Sequence, residues 1–251
     1  MKAFAVVKPT AAKRLIAKGV AAHPAVSRAL QEGTVIVTLG TTNAFVAAEL
    51  TGAPVDHGAF AAGVIDDRWN LNARIGEAKD LVLKEGGPVS IEPGDLLESL
   101  DAGDVLIKGG NAIDPFGVVG VLMAAPTGGT VGRYVPTALA RGVDVIVPIS
   151  VAKSVHAPIF DLATELGSRR MQLGDGLPCG LFPLAGHPIT EIEALAELFS
   201  VRAVHVASGG IGPGKGSVSL VLDGEENDVR KAHALLSQLA EEPEPTVSGR
   251  S

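Results

Sequence analysis

The sequence predicts an α/β protein with a doubly wound, mostly parallel sheet and a small ferredoxin-like lobe at its C-terminal end. Short runs of β-branched and aliphatic residues alternate with segments of helical periodicity through about residue 165, which is the pattern of a parallel sheet covered by helices. Glycine-rich turns stand where several of the predicted strands end. Hydrophobic residues make up 46% of the chain but aromatic residues only 4%, so the core is expected to consist mainly of Ala, Val, Leu and Ile.

The first predicted elements are a helix and a strand–turn–helix unit. Residues 13–31 have apolar side chains at helical spacing, with an interruption near His23. Residues 34–39 are a β-branched run, residues 40–43 a Gly-Thr-Thr-Asn turn, and residues 44–50 an Ala-rich helix. This order is the repeating unit of a parallel sheet, in which the helix N-terminus faces the space beyond the strand end.

Further strands and helices continue this pattern. Short strands are expected at residues 82–83 and 89–91, and buried strands in "GDVLIKGG" and "VDVIVPIS". The segment "GRYVPTALARG", with Pro136 near its start, is expected to form the helix between the two buried strands. Ligands of such sheets bind outside the carboxyl ends of the strands, so the turns that follow these strands are expected to form a cleft.

The predicted organisation has three parts. Residues 1–175 would form the α/β ligand-binding domain. Residues 176–240 have a β-α-β-β-α order of predicted elements, starting with a strand at residues 181–184, and this order fits a ferredoxin-like lobe. Residues 241–251 are rich in Pro and Glu and are expected to be disordered.

Composition argues against several classes of partner. The formal net charge is −7, which disfavours nucleic acid because binding to a phosphate backbone needs a surplus of Lys and Arg on one face. The single cysteine, Cys179, cannot form an internal disulfide, and no Cys or His spacing is typical of a zinc site. Neither a metal nor an organic cofactor is expected. No apolar stretch is long enough for a membrane span, so we expect a soluble, cytoplasmic protein, and its Ala- and Val-rich surfaces suggest a homo-oligomer.

Three glycine-rich turns at predicted strand ends form the candidate ligand-binding region. Each turn offers backbone N–H groups that no side chain obstructs, and threonine hydroxyls add further donors, so together they could hold a phosphate or a carboxylate. An alternative for the first turn is that its Thr and Asn side chains only cap a helix. The candidate ligand-binding residues are Thr41, Thr42, Asn43, Gly109, Gly110, Asn111, Thr127, Gly128, Gly129, Thr130, Arg133 and Lys153.

The candidate catalytic residues are Lys108, Asp114 and His156. Lys108 ends an otherwise apolar strand, so its ammonium group needs water, a counter-charge or a ligand. His156 follows the last strand of the predicted domain and could exchange a proton near neutral pH. Asp114 could instead be only a turn initiator before Pro115, and His156 only a hydrogen-bonded loop residue.

The order of these motifs resembles that of ribose-5-phosphate isomerase A and of the wider superfamily that includes glucosamine-6-phosphate deaminase, methylthioribose-1-phosphate isomerase and the coenzyme A transferases. The segment "LGTTNAF" is similar to the early phosphate turn of that superfamily, and "DVLIKGGNAIDP" to its strand with an acidic end and a later Asp-Pro. The segments "PTGGTVGRYV" and "VDVIVPISVAKSV" resemble its glycine-rich turn before a helix and the strand and lysine that follow. The resemblance spans about residues 34–156 and implies a sugar phosphate or related anion as the ligand.

The chain departs from the isomerase at the catalytic carboxylates. Lys108 and Asn111 stand where the isomerase pattern has two aspartates, and Tyr134 stands where it has a glutamate base. An aldose–ketose shift needs a carboxylate there to move a proton between adjacent carbons, so ribose-5-phosphate isomerase activity is not expected. Three hypotheses remain: an isomerase-like enzyme acting on a phosphorylated or carboxylated metabolite, a coenzyme A transferase-like enzyme, and a non-catalytic metabolite sensor of the same fold.

Overall fold

The computed structural model describes residues 1–65, 69–70 and 78–245. In these ranges the α-helices are α1 (Pro9–Ala22), α2 (Pro24–Glu32), α3 (Thr41–Thr51), α4 (Pro93–Ser99), α5 (Gly129–Arg141), α6 (Ile159–Glu165), α7 (Glu191–Phe199) and α8 (Glu226–Leu239). The strands are β1 (Lys2–Val7), β2 (Thr34–Val37), β3 (Leu81–Lys84), β4 (Gly87–Val89), β5 (Val105–Ile107), β6 (Ala112–Ile113), β7 (Val119–Met123), β8 (Asp144–Pro148), β9 (Gly180–Leu184), β10 (His187–Ile189), β11 (Arg202–Gly209) and β12 (Ser217–Asp223). Short 3-10 helices lie at Val151–Lys153 and Gly212–Gly214.

A six-stranded mixed sheet lies at the centre, with the strand order β10-β8-β5-β2-β3-β4. Strands β10, β8, β5 and β2 are parallel, whereas β3 and β4 are antiparallel to their neighbours. The register places Ile36 beside Leu106, and Leu106 beside Val145. The α/β class and the largely parallel sheet predicted from the sequence are therefore confirmed.

The two faces of this sheet carry separate hydrophobic cores. Side chains alternate between the faces of a strand, so Val35 and Val37 pack with α1, α2 and α3 on one side. Ile36 and Leu106 face the other way and pack with α4 and α5. Each fully buried aliphatic side chain of this kind contributes about 2 kcal/mol to folding. Burial on both faces is why these strands are continuous apolar runs in the sequence.

Strand β3 brings an unexpected segment to the carboxyl edge of the parallel strands. Because β3 runs antiparallel to β2, its first residue, Leu81, pairs with Val37, the last residue of β2. The residue before β3, Asp80, therefore lies at the same edge as the turns that follow β2, β5 and β8.

The predicted ferredoxin-like lobe differs from the observed pairing. Strand β1, for which the sequence pattern predicts no element, forms an antiparallel sheet of order β1-β12-β11, and α7 and α8 pack on it. The strand expected to open the lobe, β9, instead pairs with β7 in a third sheet of order β6-β7-β9. Strand pairings thus cross the predicted boundary at residues 175–176 in both directions, since β1 pairs with β12 and β9 pairs with β7.

The C-terminal segment predicted to be disordered begins within the described residues. The Glu242 carboxylate accepts a hydrogen bond of 2.8 Å from Nη2 of Arg14, and the Glu244 carboxylate accepts one of 2.9 Å from Thr10. This part of the predicted tail therefore contacts α1, while residues 246–251 lie outside the described residues. In the part of the chain that the structure describes, no helix combines the length and apolar character needed to cross a membrane.

Candidate functional site

A cavity of about 450 Å³ lies at the carboxyl edge of the parallel strands. Its walls come from the turns after β2 and β5, the loop after β8 and the start of α5. We call it the lysine cavity; it is lined by Lys13, Lys108, Lys153, Pro148 and residues 39–43, 62–65, 109–111, 121–124 and 128–131. The structure thus brings together residues of all three predicted turns.

Lys108 is the most buried of the three lysines. It directly follows β5 in the middle of the sheet, and only 7% of its surface is exposed. Its Nζ donates a hydrogen bond of 3.0 Å to the carbonyl oxygen of Gly109. Burial lowers the pKa of the Lys108 ammonium group to about 8, although the nearby Asp80 carboxylate acts in the opposite direction. A lysine with this pKa is partly neutral near physiological pH, which allows it to accept as well as donate a proton.

Lys153 and Lys13 add positive charge to the same cavity. Nζ of Lys153 donates a hydrogen bond of 2.7 Å to the carbonyl oxygen of Gly110. Burial of its ammonium group, and then the charges of Lys13 and Lys108, lower the pKa of Lys153 to about 8. Lys153 is nevertheless exposed as a residue, so water stabilises its charge more than that of Lys108, and Lys108 is the better candidate for a neutral amine.

No carboxylate balances these lysines on the described wall of the cavity, where neither Asp nor Glu occurs. Asp80, the acidic group that acts on Lys108, lines a neighbouring space instead. The cavity therefore concentrates positive potential in a partly enclosed volume, which favours a small anion.

Two helix N-termini also face this cavity. The N-cap residues are Gly40 for α3 and Gly128 for α5, and neither helix has a side-chain cap. By contrast, α7 is capped by Thr190 in a complete capping box. The alternative that Thr41, Thr42 and Asn43 cap a helix does not hold, since they lie inside the first turn of α3. Uncapped first-turn amides carry a partial positive charge that suits a phosphate or carboxylate.

Asn43 carries a buried acceptor on the wall of the cavity. The residue is only 1% exposed, and its Nδ2 donates a hydrogen bond of 2.8 Å to the carbonyl oxygen of Thr38. Its Oδ1 has no hydrogen-bond partner. Buried polar atoms nearly always have a partner, so a hydroxyl of a bound ligand would supply a donor that the protein itself does not.

The glycines after β5 have a packing role as well as a possible binding role. A Cβ on Gly110 would lie 2.2 Å from Cγ1 of Val119, so a larger residue would displace the β7 strand. A Cβ on Gly109 would lie 3.6 Å from Oδ1 of Asn43, which is ordinary contact distance. Close packing alone therefore explains glycine at position 110, whereas at position 109 it does not.

Several predicted site residues lie elsewhere or hold the fold. The Asp114 carboxylate is buried and accepts hydrogen bonds of 2.9 Å from the amides of Phe116, Val118 and Ile159. It does not line the lysine cavity, and its oxygens are used in shaping a turn and the start of α6.

His156 and Thr127 are exposed and do not line the cavity either. Asn111 does line it, but its side chain ties the wall together: its Oδ1 accepts a hydrogen bond of 3.0 Å from the Leu122 amide. Arg133 lies beside the neighbouring cavity described next.

Asp80 and Tyr134 are site residues that the sequence pattern did not single out as candidates. Oδ1 of Asp80 accepts a hydrogen bond of 3.0 Å from the Leu39 amide, and its Oδ2 accepts one of 2.9 Å from the Tyr134 hydroxyl. Burial and the Asp80 carboxylate raise the pKa of Tyr134 to about 12. In the sequence, Asp80 is marked only by the polar pair Lys79 and Asp80 directly before an apolar strand. Whether this pair reaches the site depends on the direction of β3.

A second cavity, of about 780 Å³, adjoins the lysine cavity. We call it the aliphatic cavity; it is lined by residues 78–80, 89–93, 124–125, 129–130 and 133–134 with Leu39, Ala62, Gly63, Val82, Leu96, Leu122 and Leu177. The two cavities share Leu39, Leu122, Ala124 and the start of α5. Within the described ranges, no group of three or more His, Cys, Asp or Glu side chains could hold a metal ion.

Comparisons with known proteins gave no match to a family model, a curated protein or a solved structure. The resemblance to the ribose-5-phosphate isomerase superfamily therefore stays an expectation from the sequence motifs. What the protein does must be argued from the chemistry of its own cavities.

Proposed function

We propose that this protein is an enzyme that binds a small phosphorylated or carboxylated metabolite in the lysine cavity and transfers a proton on it, in isomerase-like chemistry. The observation that carries this proposal is the combination of three lysines and no carboxylate on the described wall of one enclosed space. The position at the carboxyl edge of parallel strands is where ligands bind in open α/β sheets. A doubly wound fold of the isomerase superfamily is part of the same proposal.

Anion binding would use the more accessible positive groups. Lys13 and Lys153 supply charge, and the uncapped first turns of α3 and α5 supply backbone N–H donors. Such donors bind phosphate and carboxylate oxygens at little entropic cost, because the backbone is already fixed. The unpaired Oδ1 of Asn43 would accept a hydrogen bond from a ligand hydroxyl, which favours a hydroxylated metabolite.

Proton transfer is assigned to Lys108. With a pKa of about 8, its amine is neutral in part of the molecules at pH 7 to 8 and can remove a proton from a carbon next to a carbonyl group. The ammonium group formed can return that proton to the neighbouring carbon, as an isomerisation requires. A bound anion raises the pKa of a nearby amine, which would make the neutral amine a stronger base for the first step. Asp114 and His156 have no part in this scheme.

A binding experiment with a matched variant tests the site. Thermal shift and calorimetry would be run with inorganic phosphate, ribose 5-phosphate and citrate on the wild type, Lys108→Met and the control Lys231→Met on the exposed face of α8. We expect stabilisation of the wild type and the control and a loss of affinity on the order of 100-fold in Lys108→Met. Equal affinity in all three proteins would remove Lys108 from the site.

A non-catalytic sensor is the second candidate. It is favoured by the absence of a carboxylate on the cavity wall, because isomerase-like enzymes of the resembled superfamily use carboxylates to move protons. Incubating each bound metabolite in D2O separates the two functions: an enzyme incorporates deuterium into a carbon-bound position, and a sensor does not. Nuclear magnetic resonance detects this exchange even when the overall equilibrium does not move. A transferase-like mechanism lacks support at this site, since no carboxylate of the described wall is available as a nucleophile.

A further inference from the structure

The lysine cavity and the aliphatic cavity are adjacent and share part of their walls. They meet at Leu39, Leu122 and Gly129, which line both. None of the described residues that they share is charged, so a ligand that spanned both cavities would not cross a desolvated ion among them. Adjacent cavities of this kind suit a single ligand with two chemically different parts.

The aliphatic cavity differs in chemistry from its neighbour. Strands β3 and β4 and helix α4 contribute Val82, Val89 and Leu96 to its wall, and the segment between β4 and α4 contributes Ile91. Its volume, about 780 Å³, falls in the range of roughly 300–1,000 Å³ that is typical of small-molecule sites. An aliphatic surface of this extent is costly to leave in water, so an apolar ligand group would stabilise it.

The charged side chains on the described wall of the aliphatic cavity balance one another in sign. Oδ1 of Asp80 is bound by the Leu39 amide, and its Oδ2 by the Tyr134 hydroxyl and, at 3.5 Å, by Nη1 of Arg133. The carboxylate is thus already compensated within the protein. Arg133 is half exposed and is engaged with the same carboxylate. Lys79 and Glu92 also line this wall and are both exposed. The charged side chains of the described wall are therefore two of each sign, in contrast to the three lysines next door.

We infer that the ligand of this protein is an amphiphilic organic anion, with one phosphate or carboxylate in the lysine cavity and an apolar body in the aliphatic cavity. This inference rests on the proposed function, because it takes the lysine cavity to be the anion site. It narrows the ligand from small polar metabolites to anions that carry a hydrocarbon or comparably apolar group. An anion without such a body would leave the aliphatic walls uncovered.

The test is a chain-length series measured by calorimetry at one pH and ionic strength. The probes are inorganic phosphate and ethyl, butyl and hexyl phosphate, with acetate, butyrate and hexanoate as the carboxylate series. We expect affinity to rise roughly threefold to fourfold for each added methylene. The series with the tighter binding at equal chain length identifies the head group.

Two variants fill the aliphatic cavity without touching the lysine cavity. Val89→Trp lies on the edge strand β4, where 37% of Val89 is exposed, and Ala125→Trp lies in the exposed loop before α5. The matched control is Val206→Trp on β11, which lines neither cavity. We expect both filling variants to bind inorganic phosphate with the affinity of the wild type. They should lose the increase in affinity per added methylene, which the control should keep. Melting temperature and circular dichroism report whether each variant is folded.

The outcomes separate this inference from the proposed function. Phosphate binding with no dependence on chain length, or a dependence that persists in both filling variants, would overturn the amphiphilic ligand and leave the anion site standing. If neither inorganic phosphate nor acetate binds the wild type at all, the anion site itself fails, and this inference fails with it.

Discussion

The lysine cavity and the aliphatic cavity lie side by side at one edge of the same sheet, yet their walls are opposite in chemistry. The first is built by turns that follow parallel strands, which bring Lys108 and, after β8, Lys153. The second is built around the antiparallel strands β3 and β4, which bring Asp80 and aliphatic side chains. The comparison shows that reversing one strand changes which end of it reaches this edge of the sheet, and so changes the chemistry of the cavity there.

The largest effect is expected when the buried amine of Lys108 is removed from the lysine cavity. The folded-state pKa of Lys108 is lowered to about 8 from the ordinary lysine value of 10.5, so between these pH values the unfolded chain binds a proton that the folded chain has released. Stability contributed by this position therefore rises as pH rises from 8 to 10.5, by about 3 kcal/mol in total.

In Lys108→Met, we expect the part of the pH-dependent gain that Lys108 contributes to disappear, while Lys153, whose pKa is also lowered to about 8, keeps its own part. Urea unfolding of the wild type and the variant between pH 7 and 10 measures it, below the range in which the raised pKa of Tyr134 acts in the opposite direction. A difference between the two proteins that does not change with pH would show that Lys108 is fully charged in the folded state.

Replacing the acidic group between the cavities gives the next largest effect. Asp80→Asn weakens the hydrogen bonds to the Leu39 amide and the Tyr134 hydroxyl, and we expect a loss of about 2 kcal/mol in the free energy of unfolding. It also removes the charge that favours the protonated form of Lys108, so the pH-dependent gain should begin below pH 8. Asp95→Asn, an exposed residue of the first turn of α4, is the control. An unchanged onset of the gain would mean that Asp80 does not act on Lys108.

A smaller change should affect the lysine cavity alone. The buried Glu191 accepts a hydrogen bond of 2.5 Å from Ser150 and one of 2.9 Å from the Val151 amide, which holds the loop that carries Lys153. In Glu191→Ala, we expect phosphate affinity to fall roughly fivefold, or about 1 kcal/mol, while the gain per methylene of alkyl phosphates stays the same. Calorimetry with inorganic phosphate and with alkyl phosphates measures both quantities. A change in the affinity gained per methylene, with phosphate affinity unchanged, would contradict this prediction.

The smallest effect is expected at the outer wall of the aliphatic cavity. Nη1 of Arg133 lies 3.5 Å from Oδ2 of Asp80, and half of the arginine side chain is exposed. The contact is long, its arginine end is exposed, and Asp80 keeps its hydrogen bonds from Tyr134 and Leu39. Arg133→Ala should therefore lower the free energy of unfolding by less than about 1 kcal/mol. A larger loss in urea unfolding would show that Asp80 depends on Arg133 and not mainly on Tyr134.

Local sequence patterns predicted the central strands and the turns after them. Strands β2, β5 and β8 are apolar on both faces because both are buried, and the residues after them, including Lys108, reach the cavity as expected. The direction of β3 was not predictable, since alternation of side chains is the same in parallel and antiparallel strands. Asp80 was overlooked for that reason.

The sequence pattern also does not predict which strands pair when they lie far apart along the chain. Val7 pairs with Val218, and no local feature of the first residues indicates a partner so distant along the chain. Asp114 illustrates a different limit. A carboxylate in a turn after a glycine-rich segment can bind a ligand or its own backbone amides, and only the arrangement of Phe116, Val118 and Ile159 shows that the amides use it.

The pairing of β1 with β12 has a consequence for how the protein is made on the ribosome. Helix α1, which carries Lys13, directly follows β1 and is contacted by Glu242 and Glu244 from the far end of the described chain. At a synthesis rate of roughly 5–20 residues per second, β1 waits on the order of 10–40 s for the segment that it pairs with. Although every described lining residue of the lysine cavity lies between residues 13 and 153, α1 gains its contacts with Glu242 and Glu244 only when translation is nearly finished.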